Sequence, residues 1–388
     1  MKVLLIAPSF PPFSGVGSLR SYSLANYLKE NGDEVYVIRN SMSSWGEKNC
    51  KSPCNEFDLI IDIDIKKDFL EAAEQYTVAI SEVLEKNSVD VIIYSCSPYY
   101  IAVSAVSIKK KYHIPTIIDY RDLWIDDEFL TRNILKRLKK TLIKIPYRKF
   151  ERESVEYADL ILTVTPDDCD FLGSKYRQYK NKIRCILNGY DEARIKNDDV
   201  SIDLPNLPNT FIGVFGKFGY YDYKYAVELL NAVSEINSQG QNIKVVHVGA
   251  IDKTTEKAIE ATGFNRVNYV NTGYLDYAIG MRIIKKSLAN CLIVHYRRAL
   301  GTKAFDYIYS DRPIIYFAQK GSAVDRLLDK GKYTYRCTNK RSAVNAIKKI
   351  LNDKIKSNGI EGIENYSREK RNEEYRAMIF ECIASTKE

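Results

Sequence analysis

The chain has 388 residues, which is too long for one typical domain and long enough for two domains that each bury a core. Hydrophobic residues make up 45% of it, no apolar run approaches the roughly 20 residues of a membrane-spanning helix, and eight scattered cysteines without a C-x-x-C pair favour reduced thiols in a cytoplasmic protein. The formal net charge of +8 is moderate, and because no nucleic-acid-reading motif accompanies it, nucleic-acid binding is not expected.

Short aliphatic runs alternate with amphipathic segments along the whole chain, which is the pattern of parallel βαβ units. Asn188-Gly189-Tyr190-Asp191 ends a first series of strands, and the polar stretch that follows, as far as residue 209, is interpreted as a linker. We therefore expect two doubly wound sheets that face each other across a cleft. The predicted strands are residues 3–7, 34–39, 59–65, 89–94, 116–119, 160–163 and 183–187, and then 211–215, 244–248, 268–271, 291–295 and 313–317.

The loop after the first predicted strand contains Gly15 and Gly17 and leads into a helix rich in Leu and Ala. Glycines permit close backbone approach and positive φ angles, and the helix offers its first amides to an anion. Arg20 stands where a dinucleotide fingerprint has its third glycine, so NAD binding is not expected. Arg20 is open to two interpretations, a site residue or an ordinary surface arginine.

The run Asp119-Tyr120-Arg121-Asp122-Leu123-Trp124 follows a strand at the carboxyl edge of the first sheet, where open α/β sheets bind ligands. Two carboxylates and an arginine are costly to hold together unless they are paired. The run therefore predicts either a ligand site or a structural ion pair of Arg121 with an aspartate.

Basic residues are concentrated between Arg132 and Arg152, around an apolar stripe with spacings of three and four. This pattern predicts one basic amphipathic helix. Such a helix can lie in the interface of an anionic membrane, where each basic group adds about 1 kcal/mol. A surface helix with a solvated basic face is the alternative. The other basic residues are Lys136, Arg137, Lys139, Lys140, Lys144, Arg148 and Lys149, and the stripe is Ile134, Leu138, Leu142 and Ile145.

Two lysines follow the first strand of the second half. Lys217 comes directly after Phe215-Gly216, and Lys224 opens the next helix. Isolated lysines at such places are usually solvated. Beside a diphosphate leaving group, however, fixed cations and helix amides stabilise the charge that develops, without a metal.

The segment from Thr302 to Phe317 is interpreted as a short helix, a polar turn and a buried strand. We expect Thr302 to cap the helix, so that the first-turn amides and the positive end of the helix dipole face an anionic diphosphate. Asp306, one turn further, is then placed for sugar hydroxyls. Taken alone, the segment also fits an ordinary helix and strand of any α/β domain.

Metal chemistry is not expected. Asp62-Ile63-Asp64 has the D-x-D spacing of a metal site, but it lies in an alternating strand pattern. The three histidines are too scattered for a zinc site. His247 and His295 end predicted strands, and a contact of either one with a ligand stays open.

Taken in order, these segments resemble the family 4 glycosyltransferases of the GT-B fold. The resemblance covers nearly the whole chain and implies an acceptor-side Rossmann-like domain at 1–190, a linker at 191–209 and a nucleotide-sugar-binding Rossmann-like domain at 210–365. It also implies that residues 366–388 pack back on the first domain as a helix. The segments that carry it are 15–20, 119–124, 151–166, 188–191, 215–217 and 303–307.

The resemblance implies a function as well. A retaining enzyme would move a sugar from a nucleoside diphosphate donor, with UDP expected, to a lipid-linked or polysaccharide acceptor in bacterial capsule, O-antigen or related glycan assembly. No cofactor or metal is implied, and the place of action is the cytoplasm, with peripheral contact at the inner face of the plasma membrane. The D-x-R-D-L-W run is similar to that of a subgroup that transfers N-acetylated aminosugars.

The same resemblance implies roles for single residues. Asp306 would hold the nucleotide ribose, and Lys217 and Lys224 would clamp the diphosphate. The implied donor-binding residues are Gly15, Gly17, Lys217, Lys224, Gly249, Arg298, Thr302, Lys303 and Asp306. The implied catalytic residues are Lys217, Lys224, Asp119, Arg121 and Asp122, and the implied acceptor-side residues are Arg20, Asp119 and Trp124.

The chain departs from the family pattern at three positions. Arg298 stands where the family usually has a glutamate that contacts the transferred sugar, Asp306 is shorter than the usual glutamate, and Lys224 comes later than its counterpart. The arginine loop at 296–301 would instead read an acidic sugar or add phosphate contacts. A nucleotide-sugar epimerase or hydrolase on the same fold, or a non-catalytic scaffold, are the alternative functions.

Overall fold

The computed structural model describes residues 1–46, 54–65, 68–126, 139, 142–196, 207–264 and 268–387. The chain forms two compact units. One unit consists of Met1–Leu187 together with Glu369–Glu388, and the other consists of Asn188–Arg368. The second unit is therefore an insertion in the sequence of the first.

The first unit is built on a parallel sheet of seven strands in the order β3-β2-β1-β4-β5-β6-β7. Strands that are covered by helices on both faces are apolar on both faces, and β1 shows this directly. Leu4 and Ile6 enter the core on one face, and Val3 and Leu5 enter the core on the other. The strands are β1 (Lys2–Ile6), β2 (Glu34–Asn40), β3 (Leu59–Ile63), β4 (Val91–Cys96), β5 (Thr116–Tyr120), β6 (Leu160–Thr163) and β7 (Ile183–Cys185).

Helices cover both faces of this sheet. Asp68 begins α3 by accepting hydrogen bonds from the amides of Leu70 and Glu71, and the buried stripe of that helix recurs at helical spacing. The final helix, α14, buries Tyr375 and Ile379 against the β1 face, as expected for a tail that packs on the first unit. The helices are α1 (Leu19–Glu30), α2 (Met42–Trp45), α3 (Phe69–Lys86), α4 (Tyr100–Tyr112), α5 (Arg148–Tyr157), α6 (Pro166–Lys175) and α14 (Arg368–Lys387).

The second unit is a parallel sheet of six strands in the order β10-β9-β8-β11-β12-β13. Leu229 and Leu230 of α8 lie in the same core as Ile212 and Val214 of β8. The strands are β8 (Phe211–Phe215), β9 (Lys244–Val248), β10 (Tyr269–Gly273), β11 (Ala289–Ile293), β12 (Ile314–Phe317) and β13 (Thr334–Cys337). The helices are α7 (Glu192–Lys196), α8 (Tyr223–Ser238), α9 (Lys253–Thr262), α10 (Tyr277–Ile284), α11 (Thr302–Ser310), α12 (Ala323–Leu328) and α13 (Lys340–Asn352).

The two doubly wound α/β sheets predicted from the sequence are confirmed, with two differences in detail. The edge strand β13 was not predicted. The single helix predicted over 132–152 is wrong at its carboxyl end, because Pro146 lies in a 3-10 turn, Ile145–Tyr147, and a separate helix begins at Arg148. Residues 132–138, 140 and 141 of that prediction lie outside the described residues. None of the described helices has the length and apolarity to cross a bilayer.

Candidate functional site

The strand order of the second sheet reverses at β8, which lies between β9 and β11. In parallel α/β sheets ligands bind outside the carboxyl ends of the strands at such a point. The loops that leave β8, β9 and β11 begin at Gly216, Gly249 and Val294. These loops, with the helix α11 that follows the third of them, form the first candidate site.

Gly216 and Gly249 form two adjacent turns without side chains at this edge. Both have positive φ angles, 73° and 142°. A Cβ atom on Gly249 would lie 3.0 Å from the Cα of Gly216, so the two turns touch and leave no room for a side chain. The Gly216 amide donates to the Val248 carbonyl at 2.7 Å, and the Gly249 amide donates to Gly273 at 2.9 Å. The packing of the two turns explains why residue 249 is a glycine, and its donor-binding role stays a prediction.

His247 contacts the Gly216 turn from within the second unit. It is fully buried, its Nε2 atom is hydrogen-bonded to the Gly216 carbonyl, and its Nδ1 atom lies 2.9 Å from the Tyr269 hydroxyl. Burial lowers its pKa. Both ring nitrogens are thus engaged within the unit, and the open possibility that His247 contacts a donor is not supported. His295 lies 3.1 Å from Asp222, the residue that caps α8.

Two lysines lie beside the Gly216 turn. Lys303 donates to the Lys217 carbonyl at 3.0 Å, and a Cβ atom on Gly216 would lie 2.7 Å from its Cε. Its ammonium also lies 4.9 Å from the ring centre of Tyr221. Burial and the charge of Lys217 lower the pKa of Lys303 to about 7, although Asp306 opposes that shift. Because the ammonium of Lys303 is partly desolvated and lies near a second positive charge, a bound anion would stabilise it more than a neutral acceptor does.

The helix α11 begins differently from the prediction. Its N-cap is Gly301, with φ −76° and ψ 164°, and Thr302 is its first helical residue. The prediction that Thr302 caps the helix is therefore wrong. Because Gly301 has no side chain, no cap side chain binds the first-turn amides. The Ala304 amide donates to the Gly301 carbonyl at 3.3 Å, whereas the amides of Thr302 and Lys303 have no hydrogen-bond partner among the described residues and are available to an anion.

Asp306 lies one turn into α11 and is 4% exposed. The Tyr277 hydroxyl donates to its Oδ1 atom at 2.5 Å. Burial raises the pKa of Asp306 to about 6, while this hydrogen bond and the charges of Arg368 and Lys303 act against the rise. Sequence reasoning missed Tyr277, because a tyrosine 29 residues before Asp306, next to the helix cap Asp276, predicts nothing more than the start of a helix.

Two predicted donor-site residues are less closely tied to this cluster. Lys224 is exposed at the second position of α8, where its amide donates to Asp222 at 3.0 Å. No described contact joins its side chain to Lys217 or Lys303. Arg298 is partly buried in the loop after β11. The donor roles of both residues stay predictions.

The first unit holds the second group of predicted residues. Gly15 has a φ of −72° and Gly17 lies in the 3-10 turn Val16–Ser18, so neither glycine adopts the positive φ angle that its residue type permits. Close approach is what these positions require. A Cβ atom on Gly15 would lie 2.3 Å from the Phe13 ring, and one on Gly17 would lie 2.7 Å from the Arg121 guanidinium.

Arg121 fixes the glycine loop to the end of β4. Its Nε donates to the Cys96 carbonyl at 3.1 Å, and its other nitrogens donate to the carbonyls of Gly17 and Ser97. Burial lowers its pKa. The sequence left open an ion pair of Arg121 with an aspartate, but the described contacts of its guanidinium are with backbone oxygens.

Arg20 forms the ion pair instead. Its Nε donates to Asp119 at 2.7 Å, and the residues are only 8% and 2% exposed. It also donates to the carbonyls of Ile186, at 3.1 Å, and Leu187, at 3.2 Å. The interpretation of Arg20 as a surface arginine is therefore wrong. The pair leaves the Nη2 atom of Arg20 and the Oδ1 atom of Asp119 buried without a hydrogen-bond partner among the described residues. The catalytic and acceptor-side roles of the two residues stay predictions.

Asp122 and Trp124 lie in different surroundings. Asp122 is exposed. Trp124 is 6% exposed and stacks on Tyr99 with ring centres 5.3 Å apart, so it belongs to the core of the unit. Of the three acidic and aromatic candidates in this run, Asp122 is the one that solvent reaches. A contact of the buried Trp124 ring with an acceptor is not supported.

The described residues contain no cluster of three or more side chains that could hold a metal ion. The D-x-D spacing is explained by other partners, since Asp62 pairs with Arg39 at 2.7 Å and Asp64 accepts from Ser41 and Ser43.

The sequence of residues 19–194 matches the family model described as Glycosyltransferase Family 4. No curated protein sequence matches the chain. The matched segment contains Arg20 and the run from Asp119 to Trp124, and it ends just after Asp191.

Solved structures resemble the whole chain. A glycosyltransferase from Rickettsia africae is 16% identical and aligns over 98% of both chains with a TM-score of 0.68. Alr3699/HepE from Anabaena, solved in complex with UDP, is 13% identical, with 98% of this chain and 100% of that one covered and a TM-score of 0.64. UDP-GlcNAc 2-epimerase from Neisseria meningitidis, solved bound to UDP-GlcNAc, is 11% identical, with 98% and 100% covered and a TM-score of 0.59.

Similarity at such low identity shows the fold alone, and the fold is shared by transferases and epimerases. The family match adds what the fold does not give. Because residues 19–194 carry the sequence pattern of glycosyltransferase family 4 and the two sheets have the fold of these structures, the chain has the GT-B fold and resembles that family over residues 19–194.

Proposed function

We propose that the protein is a retaining glycosyltransferase that moves a sugar from a UDP-sugar to a lipid-linked or polysaccharide acceptor in bacterial capsule, O-antigen or related glycan assembly. The observation that carries this proposal is the cluster at the carboxyl edge of the second sheet. There, backbone turns at Gly216 and Gly249, two lysines, an uncapped helix start and Asp306 share one edge.

The diphosphate of the donor is assigned to Lys217, Lys303 and the first amides of α11. A phosphate oxygen would supply Lys303 with the charged partner that a carbonyl oxygen does not give. When the bond to the sugar breaks, the diphosphate gains charge, and cations and amides that are already in place stabilise it without a metal. Lys224 is proposed as a further phosphate contact.

The nucleoside is assigned to Asp306, whose carboxylate would accept a hydrogen bond from a ribose hydroxyl. The UDP found with Alr3699/HepE and the UDP-GlcNAc found with the epimerase support a uridine nucleotide. The transferred group is proposed to be a hexosyl or N-acetylhexosaminyl group. Arg298, in place of the usual acid, is proposed to face the sugar or the phosphates.

The acceptor is proposed to be reached at a membrane surface. Leu142, Ile143 and Ile145 are 63%, 57% and 46% exposed, beside the exposed basic residues Lys139 and Arg148. Apolar side chains next to basic ones are the combination that binds an anionic lipid interface. This supports peripheral attachment, which we propose to occur at the inner face of the plasma membrane.

Measurement of UDP release with and without candidate acceptors tests the proposal. Transfer requires the acceptor, hydrolysis does not, an epimerase would change the sugar without needing an acceptor, and a scaffold would show none of these reactions. Thermal shift with a panel of nucleotides comes first, because a ligand at 100 times its Kd stabilises the folded protein by about 2.7 kcal/mol. A failure of every nucleoside diphosphate to stabilise the protein would contradict the proposal.

A further inference from the structure

The hydroxyl of Tyr277 lies between Asp306 and the backbone of Asp191. It donates to the Asp306 Oδ1 atom at 2.5 Å, and the Asp191 amide donates to it at 3.3 Å. The Arg194 guanidinium lies 4.6 Å from the centre of the Tyr277 ring. Two separate segments of the second unit, α11 and residues 191–194, thus fix this tyrosine in place.

The geometry sets the direction of each hydrogen bond. A tyrosine hydroxyl has one proton, and an amide can only donate. Because the Asp191 amide uses the oxygen of Tyr277 as its acceptor, the hydroxyl proton points at Asp306. Burial, and then the charge of Asp306, raise the pKa of Tyr277, so it keeps that proton at neutral pH.

The two oxygens of Asp306 are therefore not equivalent. Oδ1 is held by Tyr277, whereas no described residue donates a hydrogen bond to Oδ2. A carboxylate whose one oxygen is fixed can rotate little about its last bond. Its second oxygen is then presented in one direction before any ligand arrives, which reduces the ordering cost of binding.

We propose that Tyr277 is a positioning residue for the ribose of the donor: it holds one oxygen of Asp306, so that the other oxygen accepts a hydrogen bond from a ribose hydroxyl. This inference rests on the proposed donor-binding function. It adds Tyr277, which lies 29 positions before Asp306 in the sequence, as a residue through which ribose is distinguished from deoxyribose.

The charges around Asp306 determine how this contact depends on pH. Burial and the charge of Asp191 raise the pKa of Asp306, whereas the hydrogen bond from Tyr277 and the charges of Arg368 and Lys303 lower it, and the outcome is a pKa of about 6. A protonated Asp306 has lost part of its acceptor capacity. UDP binding that uses Oδ2 should therefore weaken as the pH falls through 6, and loss of the Tyr277 hydroxyl should move that fall to higher pH.

The test compares UDP with 2′-deoxy-UDP and 3′-deoxy-UDP by calorimetry between pH 5 and pH 8. In the unmodified protein, UDP should bind more tightly than at least one deoxy analogue, and the advantage should shrink below pH 6. Tyr277→Phe should reduce UDP affinity about tenfold to a hundredfold, the range for a hydrogen bond to a charged group. It should also bring the ratio of the affinity for UDP to the affinity for the deoxy analogue close to one. Tyr309→Phe, which removes a hydroxyl from α11 itself, is the matched control and should change neither quantity.

Two outcomes separate this inference from the proposed function. If Asp306→Asn leaves the ratio between UDP and the deoxy analogues unchanged, Asp306 does not bind the ribose and that part of the proposed function fails. If Asp306→Asn abolishes the ratio while Tyr277→Phe leaves both the ratio and the pH profile unchanged, only the role of Tyr277 is overturned. Should Tyr277→Phe not fold, the pair Tyr277→Gln and Tyr277→Met keeps the inference testable, because the two side chains are similar in size and only Gln can donate a hydrogen bond to Asp306. Equal ratios in these two variants would contradict it.

Discussion

Lys303 and Asp306 lie three residues apart on α11, and burial moves the pKa values of both toward neutrality, to about 7 and about 6. Titration of the two residues should change UDP affinity at opposite ends of the pH range. Asp306 must be ionised to accept a hydrogen bond, so it limits binding at acidic pH. Lys303 must be protonated to bind phosphate, so it limits binding at alkaline pH, although a bound diphosphate raises its pKa and moves that limit upward.

We expect UDP affinity to fall as the pH rises from 7 to 9, with uptake of a proton on binding. Lys303→Met keeps the apolar stem, removes the charge, and should weaken binding at pH 7 while abolishing the alkaline decline. Calorimetry in buffers of different ionisation enthalpy measures both the affinity and the proton uptake. Lys320→Met, at an exposed position, is the control. An alkaline decline that persists in Lys303→Met would assign the titration to another group.

Lys217 is expected to act later in the reaction than Lys303. It is exposed, and its ammonium lies 3.9 Å from the ring centre of Tyr220. Because its charge matters most as the leaving group develops, Lys217→Ala should lower kcat more than it weakens UDP binding. Steady-state kinetics together with UDP calorimetry measure this difference. A loss of binding that accounts for the whole loss of kcat/KM would show that Lys217 acts on the ground state alone.

The buried pair of Arg20 and Asp119 should control stability rather than donor binding. Removal of one partner leaves an uncompensated charge in the core of the first unit, so Arg20→Ala should lower the free energy of unfolding by roughly 3 to 5 kcal/mol. The double variant with Asp119→Ala should lose less than the sum of the single variants. Denaturant unfolding measures these values. A single variant that loses transferase activity at unchanged stability would instead support the acceptor-side role of Arg20.

At the scale of elements, the segment around Pro146 is an exposed surface that combines apolar and basic residues. Its apolar side chains Leu142 and Ile143 are exposed, and basic residues flank them. The variant Leu142→Asp with Ile143→Asp should abolish sedimentation with anionic vesicles and leave UDP binding unchanged. Val78→Asp, at a residue of α3 that is 52% exposed, is the matched control.

The salt dependence of sedimentation identifies the contribution of the basic residues. Attraction between exposed charges and an anionic surface fades as salt shortens the Debye length to about 3 Å at 1 M. We expect replacement of Lys136, Arg137, Lys139 and Lys140 by Gln to abolish the salt-sensitive part of the binding. If the unmodified protein does not sediment with anionic vesicles at low salt, this segment is an ordinary solvated surface.

Elements were predictable where local pattern and burial agree. The strands β8 and β9 have the predicted bounds, since most of their residues are apolar, as is typical of a strand that is buried on both faces. The edge strand β13 was missed because its residues, Thr334-Tyr335-Arg336-Cys337, are mostly half-buried or exposed and show no apolar run. The basic segment was predicted as one helix because the apolar spacing continues across Pro146, although a proline ends a helix whatever the spacing.

The sequence predicted which residues belong to the candidate sites, but it did not predict which of them contact each other. The sequence brought Asp119, Arg121 and Asp122 to attention, but the arginine that pairs with Asp119 is 99 residues away. Tyr277 was missed for the same reason. Such pairings depend on which loops leave neighbouring strands of a sheet, and this order is a property of the whole fold.

At the scale of the whole molecule, each unit has its own core and its own sheet. Within the second unit, the segments that lead to and from the first lie side by side, since Tyr190 pairs with Ser367 in a parallel bridge and Arg368 lies 3.7 Å from Asp191. Asp191 is also the residue whose amide binds Tyr277. The site around Asp306 and the two connecting segments are thus linked by a short series of contacts.

The helix α14 has a consequence for the order in which the protein is made. Tyr375 and Ile379 complete the core beneath β1, and Arg376 binds Asp33 at 2.9 Å, yet these residues are translated after all of Asn188–Arg368. The second unit is continuous in sequence and can fold as soon as it leaves the ribosome, whereas the first unit has to wait with part of its core uncovered. The half of the protein that begins first during synthesis is therefore the half that is finished last.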